Sequence, residues 1–243
     1  CENNIAQFLD EVCNLINNNL DTILQTRQSI KWKSDGTPVT DSDIYVEELV
    51  HDYLRQSIPN VTFVGEESCD FSIVPTSGYV AVLDPIDGTE NFCSGFKEWG
   101  ISLGLWKAGN HLGSLLFMPE LNERLITGDN ITYFQSRVTG VSSSFGKEVL
   151  SVLGGPGEYR VFGCAVYNIF NVIRGSLQRF TNPKGVPIWD FLPGVMLALE
   201  HGCYVEINEE KFSGQFLQPN MKYRIDIKSR NNQNKVLDKE LIR

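Results

Sequence analysis

Val80-Ala81-Val82-Leu83-Asp84-Pro85-Ile86-Asp87-Gly88-Thr89-Glu90-Asn91-Phe92 is the stretch on which the reading of this 243-residue chain turns. An apolar β-type run from Tyr79 to Leu83 ends in two carboxylates three residues apart, with a proline between them and Gly88-Thr89 opening a short loop. An apolar strand delivers side chains to a fixed place, and Pro85 fixes φ where the strand stops. Asp84 and Asp87 can then converge on one small volume, as hard cations require. The stretch reads as a metal site at a strand end, with a plain Asp-Gly turn as its rival.

The rest of the composition frames that reading. With 42% hydrophobic and 21% charged residues the chain is an ordinary globular one, long enough for a large core in one domain or two. It has neither an eighteen-residue apolar run nor the layout of a secretory leader, so no membrane span is expected. The six cysteines (1, 13, 69, 93, 164 and 203) are scattered without a C-x-x-C pair, which fits unpaired thiols in a reducing cytoplasm. A net charge of −9 argues against a nucleic-acid or anionic-membrane surface. An acidic protein holds phosphate only where something inverts the local sign, and bound divalent cations do that.

In chain order, Ile5, Phe8, Leu9, Val12, Leu15, Ile16, Leu20, Ile23 and Leu24 keep helical spacing over 3–28. A turn over 31–38 follows, and Thr40-Asp41-Ser42-Asp43 has the form of a capping box opening a helix that stops near Pro59. Val61–Val64 is a short strand ending in Gly65-Glu66-Glu67-Ser68. After the strand at 79–83, runs at 101–106, 112–117, 124–127 and 132–135, separated by turns, predict an antiparallel meander. Polar, small residues from Ser136 to Ser144 divide the chain into an N-terminal α+β domain (1–138) and a C-terminal α/β domain (139–243). The second half is expected to hold strands at 149–153 and 159–162, a helix at about 164–174, a strand near 176–181, a helix at about 190–201 and strands within 203–228.

Acids stand where elements begin or end: Asp43, Glu66 with Glu67, Asp84 with Asp87, and Asp190 in Pro187-Ile188-Trp189-Asp190. Singly, each has a plain structural explanation as a cap, a surface turn or a helix-start acid. Other chemistries lack their signatures. Asp41-Ser42-Asp43 has no preceding hydrophobic strand, Cys93 has no arginine loop after it, and His51, His111 and His201 lie outside every motif. Gly154-Gly155-Pro156-Gly157 lacks the Lys-Ser/Thr of a Walker loop.

Together, Gly-Glu-Glu-Ser, Asp-Pro-Ile-Asp-Gly-Thr at a strand end, and Trp-Asp-x-x-x-Gly about a hundred residues later resemble the inositol monophosphatase family. These are magnesium-dependent, lithium-sensitive phosphatases that include bisphosphate nucleotidases. The segment Val39 to Asp43 matches as well, and Gly163-Cys164-Ala165 stands where the family has a Gly-Ser-Ala-like turn. The resemblance implies an α/β (α+β) fold layered α/β/α/β/α. It implies that Glu66, Asp84 and the Ile86 carbonyl bind a first Mg²⁺, and that Asp84, Asp87 and Asp190 bind a second, with Glu67 farther back. Glu66, Thr89 and Asp43 would orient the attacking water. Asp87, Gly88, Thr89, Ala165 and Thr181 would meet the substrate, a small phosphorylated metabolite. Lys33 stands near the lysine of the family's mobile loop, and a homodimer is left open.

The chain departs from the pattern at the substrate. Inositol-selective members carry a glutamate between the Gly-Ser-Ala-like turn and Trp-Asp. Here the segment reads Gln178-Arg179-Phe180-Thr181-Asn182, which puts Thr181 or Asn182 at that place and leaves Arg179 as a candidate for a second phosphate. An inositol monophosphate-like substrate is the first expectation. A 3'(2'),5'-bisphosphate nucleotide is the alternative, and a regulatory binding protein on the same fold a further one.

Overall fold

Asn19 divides the amphipathic N-terminal stretch into two helices, α1 (Ile5–Asn18) and α2 (Leu20–Gln25). Its side chain turns back to donate to the Leu15 carbonyl, at 2.8 Å, so one periodic run becomes two rods. The structure, a computed structural model, describes residues 5–34, 36–67, 77–143, 146–147, 153 and 157–230. The predicted turn after α2 is a small antiparallel hairpin, β1 (Ile30–Trp32) and β2 (Pro38–Thr40), closed by the Lys33 N–H on the Thr37 carbonyl. Thr40 then starts α3 (Asp41–Ser57) with the expected capping box. Its side chain accepts from the Asp43 N–H, and the Asp43 carboxylate accepts from the Thr40 N–H.

The first sheet runs in the order β3 (Thr62–Gly65), β4 (Tyr79–Asp87), β5 (Gly100–Lys107), β6 (Asn110–Met118) and β7 (Glu123–Ile126). β3 lies parallel to β4 and the remaining pairs are antiparallel, so the meander takes shape as expected up to β7. The run at 132–135 does not form a strand. Phe134 instead donates its N–H to the Arg174 carbonyl and lies under the Arg174 guanidinium. A short helix α4 (Thr89–Ser94) follows β4.

The second sheet has the order β12 (Glu210–Lys211), β11 (Tyr204–Ile207), β13 (Tyr223–Lys228), β10 (Arg179–Val186), β8 (Val138–Val141) and β9 (Glu158–Arg160). Most of the strand expected at 149–153 lies outside the described residues. The two later helices, α5 (Ala165–Ile173) and α6 (Leu192–Glu200), form close to the expected bounds.

Strand β4 explains the layering. Its residues alternate between two cores: Val80 and Val82 join α5, α6 and the second sheet, while Ala81 and Leu83 join α1, α3 and the opposite face. A strand buried on both faces reads as a continuous apolar run. Burying Val82 and Leu83 completely contributes about 1.5–3 kcal/mol each. The order is therefore α1/α3, first sheet, α5/α6, second sheet, four of the α/β layers among the described residues. The layer between the sheets is shared, so the core crosses the 138/139 division. No described helix is long and apolar enough to cross a membrane, and the four described cysteines, Cys13, Cys93, Cys164 and Cys203, are free.

Candidate active site

Residues three apart on a regular strand point to opposite faces. Asp84 and Asp87 escape this because the β4–β5 register slips between them. Asp84 pairs with Ser102 and Asp87 with Gly100, so β4 advances three residues while β5 advances two. The single extra residue is a bulge, which re-aims side chains and returns both carboxylates to one side. Asp84 Oδ1 accepts from the Ile86 N–H at 3.1 Å, which braces the bulge from within.

Gly88 follows with φ of +83°, and a Cβ there would lie 2.9 Å from Cys164 Cβ and 3.3 Å from the Gly163 carbonyl oxygen. Only glycine meets both conditions. The chain thus turns into α4 pressed against the start of α5. At that contact Asp87 Oδ2 accepts from the Cys164 thiol (3.0 Å) and the Val166 N–H. The main-chain N–H groups of Ala165 and Gly88 also act on this carboxylate. Burial raises the Asp87 pKa, and these donors hold it back. The Gly88 N–H is thereby turned toward Asp87, which engages one of the groups expected to meet the substrate. The Thr89 hydroxyl lies 3.0 Å from the Ile86 carbonyl and 3.4 Å from Asp43 Oδ1.

The remaining acids approach from other elements. Asp43, 1% exposed, uses Oδ2 for the Thr40 cap and turns Oδ1 toward Thr89, so it serves both as a cap and as part of the site. Burial outweighs the cap's hydrogen bonds and lifts its pKa to about 6. Asp190 ends a 3-10 turn (Ile188–Asp190) that packs on β4 before α6 begins. Glu66 follows β3 in the turn after Gly65, in ion contact with Lys33 Nζ at 2.7 Å, and Glu67 meets the same ammonium at 2.6 Å.

Burial raises the pKa of Asp84, Glu66 and Asp190; neighbouring carboxylates raise Asp84 and Asp190 further, while Lys33 holds Glu66 back. Asp84 feels Glu66, Asp87, Asp190 and Asp43 in that order. Burial alone would pull Lys33 down, but Glu66 and the hydrogen bonds to both glutamates reverse this and its pKa lies above the usual lysine value. The structure therefore gathers Asp43, Glu66, Asp84, Asp87 and Asp190 within electrostatic reach of one another. It does not bring any three of the described acidic, cysteine or histidine side chains onto one coordination point. Lys33 holds Glu66 outward and the start of α5 holds Asp87. By donor chemistry the set fits a hard divalent cation, since carboxylates and the Ile86 carbonyl are all oxygen ligands.

Beside the acids lies a cavity of about 110 Å³, lined in part by Asp87, Asp190, Cys164, Ala165 and Asn182. Thr181 does not reach it. With Phe180 in the core, strand alternation turns Thr181 to the opposite face, where its hydroxyl lies 3.4 Å from the Ile225 carbonyl. The side chain aimed at the cavity is Asn182. Arg179 also faces away, in a bidentate ion pair with Asp226. Sequence reading missed the Cys164 thiol on Asp87 and the choice of Asn182 over Thr181. The period-2 pattern, counted from Phe180, carries the second. The histidines stay out of the site: His51 packs on Phe63, and His111 bonds to Ser114.

Comparisons with known proteins bear on the family and the fold. The inositol monophosphatase family model matches residues 3–133. The inositol-1-monophosphatase SuhB of Mycobacterium tuberculosis is 26% identical over 217 residues, covering 76% of this chain and 74% of that protein. The 3'(2'),5'-bisphosphate nucleotidase CysQ of Haemophilus influenzae is 27% identical over 105 residues, 42% of this chain and 39% of that protein. Among solved structures, an IMPase/NADP phosphatase complexed with Mg²⁺ and phosphate superposes with a TM-score of 0.80 at 15% identity, covering 98% of this chain and 95% of that one. The SuhB protein of Bartonella henselae gives 0.75 at 18% identity, with 96% and 95% covered. The model match spans more than half of the chain and includes β4 and its acids, so this chain belongs to the inositol monophosphatase family, a family of phosphatases.

Proposed function

We propose that the protein is a Mg²⁺-dependent phosphomonoesterase that hydrolyses a small phosphorylated metabolite. The observation that carries this reading is the one-residue bulge that turns Asp84 and Asp87 to the same side, facing Glu66 and Asp190. Five gathered carboxylates, each with a raised pKa and four of them converging electrostatically on Asp84, form a site whose charge calls for a cation. Glu66, Asp84 and the Ile86 carbonyl would hold one Mg²⁺, and Asp84, Asp87 and Asp190 a second. When bound, such ions polarise phosphoryl oxygens and lower the pKa of water. Thr89 would carry a proton between the site and Asp43, a role supported by its hydroxyl lying 3.0 Å from the Ile86 carbonyl and 3.4 Å from Asp43 Oδ1. The Thr89 N–H and the start of α5 at Ala165 would orient an ester phosphate and its alcohol.

Inositol monophosphate-like esters are the first substrate reading, supported by the relatives. A bisphosphate nucleotide is the second, favoured by Asn182, a neutral amide at the cavity wall. Phosphate release measured with Mg²⁺, after chelation, and after Mg²⁺ is restored tests the reaction class. Asp84→Asn is expected to abolish release while circular dichroism stays native, and undiminished turnover in that variant would sink the proposal. Li⁺ is expected to inhibit.

A further inference from the structure

Ser102 stands on β5 directly opposite Asp84. Paired residues on neighbouring strands share a face, with Cβ atoms about 4.5–5.5 Å apart. That face is the inner one, since Val82 and Trp106, at even spacing along the same two strands, belong to the core between the sheets. The 3-10 turn that carries Asp190 packs against both strands, and α6 against β5. Ser102 therefore belongs to the floor of the site. It is 0% exposed, and its hydroxyl has no hydrogen-bond partner among the described residues. Its neighbours offer none either: Gly104 follows on the same face, and Leu116 pairs with it on β6. A buried hydroxyl left unmatched costs stability that an alanine at the same place would not, so its presence calls for a reason.

The reason lies across the strand pair. A carboxylate offers about four lone-pair positions on its two oxygens. On Asp84 the Ile86 N–H takes one, on Oδ1. Two bridged cations would take one more on each oxygen, which leaves one position on Oδ2. No hydrogen bond reaches Oδ2 among the described residues. An unmatched donor and an unmatched acceptor thus share one face of two adjacent strands. A serine side chain rotates among three staggered wells, and cross-strand spacing lets such a rotation carry its Oγ to a carboxylate opposite. Hydrogen bonds of this kind fix the plane of a metal-binding carboxylate, and losing one typically weakens metal binding about 10–100-fold.

We propose that Ser102 is a positioning residue of the metal site, whose hydroxyl donates to Asp84 Oδ2 and orients that carboxylate when cations are bound. This rests on the metal-dependent reading above and adds a residue to it. The test compares wild type, Ser102→Ala and Ser102→Cys in Mn²⁺ binding, read from the paramagnetic resonance of the free ion, since Mn²⁺ takes the same oxygen donors as Mg²⁺. Ser102→Ala is expected to raise the Mn²⁺ Kd about tenfold or more, and Ser102→Cys, of similar size with a weaker donor, to fall between. Melting curves supply a readout that a structural role would not give. With a chelator, Ser102→Ala should melt no lower than wild type, because it removes an unmatched hydroxyl. With Mg²⁺ it should gain less in Tm than wild type does. Ser114→Ala is the control. That serine is equally buried and bonds to His111, so its loss should lower Tm alike in both conditions and leave the Kd unchanged. An unchanged Mn²⁺ Kd in Ser102→Ala, or a Tm lowered as much with chelator as with Mg²⁺, overturns the role of Ser102. Wild-type protein that binds no Mn²⁺ would overturn the metal-dependent reading instead.

Discussion

At Asp84 a carboxylate is 1% exposed, with Glu66, Asp87 and Asp190 all raising its pKa beyond what burial does. Without a cation such a group destabilises the fold once it ionises, and an isosteric amide removes that charge. Asp84→Asn should therefore unfold at a higher temperature than wild type when both are metal-free at pH 8, by a few degrees, since about 1 kcal/mol moves Tm by about 2–4 °C in a chain of this size. Thermal melts with a chelator read this, and an unchanged or lower Tm would contradict it. Gly88 gives a second prediction of opposite sign. Its φ of +83° and the 2.9 Å approach to Cys164 Cβ leave no room for a side chain. Gly88→Ala should lose about 2–4 kcal/mol, strain and overpacking together, seen as a lower urea midpoint. At this scale the chemistry of Asp84, Asp87, Glu66 and Asp190 was legible, because their residue types and order carry it. The convergence of Asp84 and Asp87 was expected from the strand end, but its means was not, because the bulge depends on how β4 pairs with β5, a neighbour across the sheet. The choice between Thr181 and Asn182 was open for a similar reason: one residue of register decides the face.

The hairpin β1–β2 stands over the acids by one side chain. Lys33 ties it to Glu66 and Glu67, whereas Lys31 meets Asp41 in a far more exposed pair that contributes little. Lys33→Met should therefore loosen residues 30–40 selectively. Hydrogen exchange there is expected to rise by about tenfold or more, equivalent to about 1.4 kcal/mol of local opening, while exchange in β4 and β5 stays unchanged. Equal acceleration throughout the first sheet would show that the lysine stabilises the fold as a whole rather than the hairpin. The hairpin was invisible in the sequence because Lys33-Ser34-Asp35-Gly36-Thr37-Pro38 is dense in turn residues and its strands are three residues each. The long elements were legible: α3 carried its own capping box, and β4 its apolar run. Asn19 shows the limit, since apolar periodicity continues through it while its side chain ends the helix. Phe134 shows another, its backbone claimed by Arg174 from α5's end rather than by a sheet partner.

The whole molecule holds two sets of buried titratable groups that pull stability in opposite directions. The carboxylates come first. Asp43, lifted to about 6 by burial, and Glu66, Asp84, Asp87 and Asp190, all raised, have folded-state values above those of the unfolded chain. The folded chain then binds more protons, so their contribution is full below the unfolded values and is lost as pH rises through the folded ones. His51 and His111 are the reverse: burial pulls each from 6.5 to about 4. The folded chain binds fewer protons there, so that contribution is present above pH 6.5 and is lost as pH falls toward 4, up to about 3 kcal/mol per histidine. Neither set announces itself in composition, because burial, not residue type, sets the sign. Between pH 8 and 6.5 only the carboxylates act, so the Tm of the metal-free protein should rise on acidification. On the proposed reading, Mg²⁺ held by these carboxylates would compete with those protons and keep the carboxylates ionised. The Mg²⁺-saturated protein should accordingly be nearly flat from pH 8 to 6.5 and lose stability below, where the histidines dominate. His51→Phe, which keeps a ring against Phe63, should flatten that lower limb. Melting curves at matched ionic strength with and without Mg²⁺ decide it. Parallel pH profiles in the two conditions would mean that the raised carboxylates and the cation do not share a site.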